Sequence, residues 1–441
     1  MKHRTRSGSP LPEDAKSVPV SDSWLLCHDN PANVSMKFLI IGFGAAGANA
    51  AEFLRRNNSD AEITVLNGEQ TPFYLRLDLE GVFAGKPLEQ LMPRPPAFWE
   101  EKRIEIIPER AAHVATERQE VVTDTGRTLA YDKLLIAVGT APRRLEVPGR
   151  NLSGVFHYHT LRDAVTIHAE RANVRRVTIV GGGILGLEMA HAAVDFGWKI
   201  TILVRGGYVG SPMVDAKGGE FVLASLRRAG VDVFFHDEVR SFEGESGALR
   251  AVNTTQGHRI ETDLAALCIG TEPDTACLRD SNLLTGRALL VNEKLETSAP
   301  NVWAAGDATV VERSDGRMVQ CHTWNVAQSQ ARTAAANMLG AEQIWRDDVL
   351  YNLDLLFDQP FAMIGGWDDR HEPGRVIHED MPEGAYRALV TRDGILESAF
   401  LLGSREGDRR IRKLIASGAC VEGKLDRVFA PDARPEEFED K

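Results

Sequence analysis

An α/β fold built from two copies of one structural unit is predicted by three features of the sequence. An apolar run that ends in a glycine-rich turn occupies residues 37–47, and a similar run and turn occupy residues 176–186. Each half of the chain then closes on a further apolar run followed by a glycine, at residues 134–140 and 264–271. Buried strands that alternate with helical segments are typical of parallel sheets, so we predict an internally duplicated α/β protein.

The first turn has Gly-x-Gly-x-x-Gly spacing, with glycines Gly42, Gly44 and Gly47. In such a turn the first glycine permits the tight bend, the second lets a pyrophosphate approach the backbone, and the third lets the helix pack on the strand. The phosphates then lie at the positive end of the helix. A helical segment and a strand at residues 62–66 follow, which is the context of a Rossmann-like dinucleotide-binding domain.

The second turn repeats this spacing at Gly181, Gly183 and Gly186, and a strand at residues 199–204 follows its helical segment. The same physical argument applies to these glycines. Two bound dinucleotides are therefore expected, one for each Rossmann-like domain.

The composition indicates a globular chain of about two to three domains. It has 441 residues, of which 43% are hydrophobic, and a formal net charge of -12, whereas nucleic-acid-binding proteins present a basic face. No apolar run is long enough to span a bilayer, and no hydrophobic segment follows the basic residues 1–6. We therefore expect no nucleic-acid partner, no membrane span, no secretory signal and a cytoplasmic location.

The cysteines do not form a redox or metal-binding pattern. No pair has the close spacing of a disulfide reductase or a zinc site, and no group of four could hold an iron–sulfur centre. We interpret them as buried thiols and expect no metal site. Their positions are Cys27, Cys268, Cys277, Cys321 and Cys420.

The chain order suggests a discontinuous first domain. Residues 1–35 are polar and contain proline, so a flexible extension is predicted there. The first dinucleotide-binding domain is expected at residues 36–149 and 283–345, and the second at residues 150–282. The return to the first domain is indicated by residues 297–308, a short apolar strand that ends in Gly-Asp.

Together with both glycine motifs, this Gly-Asp segment resembles the second FAD signature of the pyridine nucleotide-disulfide oxidoreductase family. The resemblance extends from residue 36 to about residue 340. It implies that the first domain binds FAD, that the second binds NAD(P)H, and that residues 346–441 form a C-terminal α+β interface domain. In that family the last domain often forms a dimer interface, so a homodimer or a complex subunit is expected.

Disulfide-reducing members of the family carry a Cys-x-x-x-x-Cys motif shortly after the first ribose-binding strand. Here the corresponding residues 71–91 contain no cysteine. Thiol–disulfide catalysis needs an activated thiolate, so we expect the flavin to be the only redox centre, with no catalytic side chain beyond it. The segment instead resembles the Pro-x-Tyr-x-Arg pattern of NAD(P)H:rubredoxin reductases and of the flavin part of assimilatory nitrite reductases.

The resemblance assigns FAD contacts to the first turn, the following strand ends and a later helix. Asn67 stands where an acid normally holds the adenosine ribose, so Glu69 is the candidate for that contact. Arg76 can pair with a phosphate or form an exposed salt bridge. Trp324 begins a helix that resembles the one placed against the isoalloxazine, or it is a core residue. The predicted FAD residues are Gly42, Gly44, Ala46, Gly47, Glu69, Arg76, Ala137, Gly139, Gly306, Asp307 and Trp324.

In the second domain, Val204 occupies the acid position and Arg205 follows it. An acid there favours NADH and an arginine accommodates the extra phosphate of NADPH, so NADPH is preferred and NADH remains the alternative. Glu188 is a candidate for positioning the nicotinamide carboxamide, or a helix-surface residue. The predicted NAD(P)H residues are Gly181, Gly183, Ile184, Leu185, Gly186, Glu188, Arg205 and Gly270.

These features predict a flavoprotein, an FAD-dependent NAD(P)H oxidoreductase in which the cofactor supplies the chemistry. By the resemblance, electron transfer runs from the nicotinamide through the flavin to a protein acceptor such as rubredoxin or ferredoxin. The basic residues 404–413 can steer an acidic carrier, or they form a solvated face. One alternative is an NAD(P)H oxidase or quinone reductase, and another is an auxiliary flavoprotein subunit of a larger redox complex.

Overall fold

The protein is described by a computed structural model that covers residues 35–438 except 84, 212, 315, 321, 347–348, 358, 366–374, 380–384 and 431. The predicted extension at residues 1–35 lies outside the described residues apart from Ser35. Residues Met36–Lys441 form one compact unit, and the domain boundaries predicted inside it stay predictions.

The first glycine turn follows the central strand of a parallel sheet. This strand is buried on both faces, which explains its uninterrupted apolar run. The five strands lie in the order Val302–Ala304, Lys133–Ile136, Lys37–Ile41, Glu62–Leu66 and Ile104–Ile107. The first of these strands is distant in sequence from the other four, so the chain returns to this sheet after building the second one.

The second glycine turn follows the central strand of a second parallel sheet with the same arrangement. Its strands lie in the order Asp232–Phe235, Lys199–Val204, Arg176–Val180, Leu264–Leu267 and Val155–His157. The predicted α/β class with two Rossmann-like sheets is therefore confirmed.

The duplication extends to antiparallel strands that the sequence analysis did not anticipate. In each half a three-stranded antiparallel sheet precedes one of the parallel strands, Lys133–Ile136 in the first half and Leu264–Leu267 in the second. A two-stranded ribbon connects the halves. The first of these sheets contains Ala111–Ala115, Glu120–Thr123 and Thr128–Ala130, and the second contains Val239–Glu245, Ala248–Thr254 and Arg259–Glu261. The ribbon pairs Thr140–Pro142 with Thr271–Pro273. A four-stranded sheet contains Leu284–Thr285, Ala288–Val291, Thr309–Glu312 and Met318–Val319.

The helices follow the parallel strands or cover the later sheet. Within the part of the chain that the structure describes, none is long and apolar enough to cross a bilayer. The α-helices are Ala45–Asn57, Leu79–Phe83, Pro96–Glu101, Leu161–Glu170, Ile184–Val194, Ala216–Arg228, Trp324–Met338, Asp408–Ser417 and Leu425–Val428. Short 3-10 turns occupy Arg76–Asp78, Leu88–Leu91, Thr116–Arg118, Ala276–Leu278 and Pro435–Phe438.

The C-terminal residues form an antiparallel sheet covered by a helix, as the predicted α+β class requires. Side chains alternate between the two faces of its strands, and Leu401 packs with Ile411 and Leu414 of the helix Asp408–Ser417. The neighbouring Phe400 and Leu402 belong to a different core. The strand order is Tyr351–Leu356, Gln359–Gly365, Ile395–Leu402, Tyr386–Arg392 and Arg375–Glu379.

That second core joins three parts of the chain. Tyr74 and Phe83, which lie between the second and third strands of the first sheet in sequence, are buried there with the helix Ile184–Val194 and with Phe400 of the C-terminal sheet. The ring of Phe83 meets the edge of Trp198 at 5.5 Å, a favourable aromatic geometry. The packing therefore fixes residues 74–91 against the second sheet rather than the first.

A polar contact reinforces this packing. The hydroxyl of Tyr386 donates to Oδ1 of Asp215 at 2.6 Å. The same carboxylate caps the helix Ala216–Arg228 by accepting from the amide of Gly218 at 2.8 Å. Burial raises the pKa of Tyr386, and Asp215 adds to the effect, so the phenol stays a donor across the usual pH range.

Replacing Tyr386 with Phe is expected to lower the free energy of unfolding by about 1 kcal/mol, because the partly buried carboxylate of Asp215 loses a hydrogen-bond donor. Urea unfolding monitored by circular dichroism measures this difference. Tyr351→Phe is the matched control, since within the described residues the ring of Tyr351 lies under Arg412 but its hydroxyl bonds to nothing. Equal losses in the two variants would contradict the assigned contact.

Candidate functional site

The two glycine turns have nearly the same geometry. Gly42 has a φ of +107°, and a Cβ placed on it would lie 2.2 Å from the carbonyl oxygen of Ala137. Gly181 has a φ of +116°, and its Cβ would lie 2.2 Å from the carbonyl oxygen of Cys268. No side chain fits at either position, so the backbone itself packs against the next strand.

The third glycine of each turn is equally constrained. A Cβ on Gly47 would lie 1.9 Å from the oxygen of Gly42, and one on Gly186 would lie 2.0 Å from the oxygen of Gly181. The middle glycine, Gly44, has nothing within 4 Å of its Cβ position. The helix starts at the next residue, Ala45, and because its N-cap residue Gly44 has no side chain, no side chain accepts a hydrogen bond from the first amides of the helix. Such a helix end can receive a phosphate.

The middle glycine of the second turn is less open than that of the first. The nearest atom to a Cβ on Gly183 is the oxygen of Ser211, at 3.6 Å. The helix that begins here includes the predicted residues Ile184 and Leu185, which are partly buried, and Gly186, which is fully buried. Glu188 is partly buried on the same helix. Burial raises the pKa of the Cys268 thiol, and the negative charge of Glu188 adds to the effect.

The glycines that close each half are connected to each other through the ribbon. Gly139 has a φ of +65° and Gly270 one of +88°. The oxygen of Gly139 accepts from the amide of Asp274 at 3.0 Å, and that of Gly270 accepts from the amide of Arg143 at 3.0 Å. Ala137 lies directly before the first of these turns and donates its amide to Ile41 at 2.8 Å. Both predicted binding segments are therefore held by one pair of strands.

The Gly-Asp segment lies beside the first turn, as its predicted role requires. A Cβ on Gly306 would lie 3.3 Å from Cβ of Ala46 and 3.7 Å from Cβ of Ala327. Burial raises the pKa of Asp307, while the positive charges of His322 and Arg76 oppose this shift. The structure thus brings Ala46, Gly306, Asp307 and Arg76 into one region.

Sequence reasoning missed the residue that holds this segment. Gln330 is 1% exposed, and its Oε1 accepts from the amide of Gly306 at 2.8 Å and from the hydroxyl of Thr309 at 3.1 Å. An amide on the apolar side of the helix Trp324–Met338 is a signal that could have identified it, because buried polar groups need partners.

Glu69 and Arg76 bind each other in this structure. Arg76 forms an ion pair with Oε1 of Glu69 and donates its other nitrogen to the carbonyl of His159. Oε2 of Glu69 accepts from the hydroxyl of Tyr74 at 3.0 Å, and that hydroxyl accepts from the amide of Leu161 at 3.2 Å. The ribose contact of Glu69 and the phosphate contact of Arg76 stay predictions, and the observed network joins the first half to the helix Leu161–Glu170.

A cluster of aromatic side chains connects the first turn with the predicted flavin helix. The ring centroid of Phe43, inside the turn, lies 5.8 Å from that of Phe73 and 5.0 Å from that of Trp99. Phe73 in turn stacks on Trp324 at 6.1 Å with an interplanar angle of 20°. Trp324 is only partly buried at the start of its helix. Its contact with a flavin stays a prediction.

Two of the described cysteines are buried thiols. Burial raises the pKa of Cys277 to about 11 and also raises that of Cys268, so both stay protonated and unreactive at neutral pH. Cys420 is partly buried. Cys27 and Cys321 lie outside the described residues.

The basic residues 404–413 divide into two sets. Arg410 donates to the carbonyl oxygens of Val428 and Ala430, and Arg412 lies 4.6 Å over the ring of Tyr351, so both support local packing. The exposed set comprises Arg409 and Lys413, four residues apart on the helix Asp408–Ser417, and Arg405, which precedes that helix. The steering role predicted for this segment therefore rests on three side chains.

Gly47→Ala is expected to lower the free energy of unfolding of the apoprotein by about 1 to 3 kcal/mol, because its methyl group overlaps the oxygen of Gly42. Gly44→Ala is the matched control and should leave apoprotein stability nearly unchanged while weakening FAD retention, since its methyl group occupies the open position. Thermal unfolding of the apoproteins and flavin absorbance after gel filtration measure the two effects. Equal stability of both apoproteins would contradict the assigned roles.

Comparison with known proteins agrees with this geometry. The family model described as pyridine nucleotide-disulphide oxidoreductase matches residues 36–331. The chain is 30% identical over 394 residues to the ferredoxin–NAD(+) reductase component of the biphenyl dioxygenase system of Paraburkholderia xenovorans, covering 87% of this chain and 93% of that protein. It is 29% identical over 309 residues to rubredoxin-NAD(+) reductase of Pseudomonas putida, covering 69% and 80%.

Other matches differ in length or show the fold alone. Nitrite reductase [NAD(P)H] of Bacillus subtilis is 25% identical over 389 residues, and the chain spans 48% of its length. A ferredoxin reductase structure from Rhodopseudomonas palustris gives a TM-score of 0.84 at 22% identity over 91% of this chain and 99% of that one. The covalent putidaredoxin reductase–putidaredoxin complex gives a TM-score of 0.84 at 24% identity, over 92% of this chain and 98% of that one. The chain belongs to the pyridine nucleotide-disulphide oxidoreductase family.

Proposed function

We propose that this chain is an FAD-dependent NAD(P)H oxidoreductase that delivers electrons to a small protein acceptor of the rubredoxin or ferredoxin type. The observation that carries the proposal is the pair of glycine turns, each with two glycines that exclude a side chain and a middle glycine whose Cβ position has no atom closer than 3.6 Å. Relatives named as rubredoxin and ferredoxin reductases support the kind of acceptor.

The residues at the first turn fit FAD. The cradle at Gly44 is open to a pyrophosphate, and Asp307 lies beside it, where its carboxyl can accept from a ribityl hydroxyl. The helix Trp324–Met338 directs its positive end toward this region and can stabilise negative charge. When bound, FAD supplies hydride acceptance and one-electron release, which the side chains themselves do not provide.

The second turn is the proposed NAD(P)H site. Gly183 is proposed to lie next to the pyrophosphate, and Glu188, on the first turns of the same helix, is proposed to orient the nicotinamide carboxamide. NADPH is the proposed donor, because Val204 provides no carboxylate for the ribose and the exposed Arg205 follows it.

Disulfide reduction is not part of the proposal. The residues 71–91 that would carry a redox pair contain no cysteine, and Cys268 and Cys277 are buried with raised pKa values. A neutral buried thiol is a poor nucleophile. The flavin is therefore the proposed redox centre.

Anaerobic stopped-flow reduction of the purified flavoprotein tests the proposal. NADPH is expected to bleach the flavin absorbance band quickly, and NADH more slowly, because only NADPH carries the phosphate that Arg205 can bind. Absence of bleaching by either nucleotide, with FAD bound, would contradict the enzyme assignment and favour an auxiliary flavoprotein subunit.

Aerobic turnover separates the proposed reductase from an oxidase or quinone reductase. Without a protein acceptor, NADPH consumption is expected to be many times slower than with added rubredoxin or ferredoxin and cytochrome c as the terminal reporter. The physical reason is that a docking surface and complementary charge speed the encounter with a protein acceptor, and a small uncharged oxidant gains nothing from them. Rapid oxygen-dependent consumption in the absence of a protein acceptor would favour the oxidase.

A further inference from the structure

The end of the strand Lys199–Val204 has no acid for a ribose. Val204 is 5% exposed, and its side chain packs against the second glycine turn: a Cβ on Gly182 would lie 2.8 Å from Cγ2 of Val204. Because this side chain is apolar and directed inward, it cannot accept hydrogen bonds from the 2′- and 3′-hydroxyls of NADH.

The neighbouring strand brings a histidine to the same loop. Asp232–Phe235 pairs in parallel with Lys199–Val204, with Phe235 opposite Val204, so the two strands end side by side. His236 follows directly, is exposed, and donates its amide to the carbonyl of Gly206 at 3.1 Å. Its ring lies against Gly207, where a Cβ would be 3.2 Å from Cε1 and 3.4 Å from Nε2.

This placement brings two cationic or donor side chains to one short loop. Arg205 is exposed and immediately precedes the two glycines. Gly207 leaves room for the imidazole, since any larger residue there would press against the ring. His236 adopts a φ of +54°, which is uncommon for a residue with a side chain. The hydrogen bond from its amide to the carbonyl of Gly206 stabilises this conformation.

The acid nearest to this loop is turned away from it. Asp237 is 1% exposed, and its amide donates to the carbonyl of Val204 at 3.2 Å. Its carboxylate accepts from several groups of the hairpin beside it, at 2.9 to 3.0 Å: the amides of Glu238 and Gln256, the hydroxyl of Thr255 and Nδ1 of His258. Burial alone would raise the pKa of Asp237, but these hydrogen bonds lower it to about 2. The ionised carboxylate of Asp237 is thus hydrogen-bonded within the hairpin and is not directed at a ligand.

We propose that His236 determines nucleotide specificity together with Arg205, and that both bind the 2′-phosphate of NADPH. The guanidinium provides a planar pair of donors for phosphate oxygens, and an imidazole N–H provides another from the adjacent strand. The inference rests on the proposed function, because it assumes that the second glycine turn binds a nicotinamide dinucleotide.

Binding of two adenine nucleotides to the FAD-loaded protein tests the inference without catalysis. Adenosine 2′,5′-bisphosphate carries the 2′-phosphate and adenosine 5′-monophosphate lacks it, so isothermal titration calorimetry with each isolates that group. His236→Gly is the informative variant, because glycine adopts a positive φ without strain. It should weaken binding of the bisphosphate about tenfold and leave binding of the monophosphate nearly unchanged, as expected for loss of one bond to a charged group.

Two further variants complete the test. Arg205→Ala should act in the same direction as His236→Gly, and in kinetics each should raise the KM for NADPH while leaving that for NADH nearly unchanged. Ser246→Gly is the matched control, since Ser246 has a φ of +53° in the hairpin turn of the same half and is not part of the loop. It should change neither affinity.

The outcomes separate the two claims. If the unaltered protein binds both nucleotides but His236→Gly weakens both equally, or neither, the role of His236 is overturned while the nucleotide site stands. If the unaltered protein binds neither nucleotide and neither NADPH nor NADH bleaches the flavin, the proposed function itself fails, and this inference with it.

Discussion

Both halves of the molecule depend on a backbone contact that only glycine permits. The turn after each central strand approaches the carbonyl of the adjacent strand so closely that a Cβ on Gly42 or Gly181 would lie 2.2 Å from it. The strands on either side are in register, with Ile41 opposite Ile136 and Val180 opposite Leu267. The same contact that aligns strand and helix leaves the helix end open, so the binding surface is a consequence of the fold.

The relative placement of the two sheets rests on burial outside them. Tyr74 and Phe83 leave the first sheet and enter a core shared with the second sheet and the C-terminal sheet. The ion pair between Glu69 and Arg76, with the bond from Arg76 to the carbonyl of His159, holds the start of this segment. The proposed hydride transfer depends on the alignment of two bound nucleotides, and this network joins the two halves that are proposed to bind them.

Charge is distributed locally in ways that the net charge of -12 does not reveal. Near the first turn, burial raises the pKa of Asp307, and the charge of Arg76 opposes this shift only in part. Near the second turn, the carboxylate of Asp237 is hydrogen-bonded inside a hairpin, while Arg205 and His236 are exposed. An acidic protein can therefore bind anionic nucleotides, because the local field at a site depends on nearby groups and on which of them are already paired.

The amino-acid pattern alone predicted the fold class, the two glycine turns and the return of the chain to the first sheet, because these depend on local backbone conformation and on apolar runs that bury on both faces. It could not determine side-chain partners that are distant in sequence. Gln330 under Gly306, and the pairing of Glu69 with Arg76, follow from how helices and loops pack, as does the imidazole of His236 beside Gly207. Those contacts join residues that no local pattern relates, so they follow from the packing of the folded chain and could not be predicted.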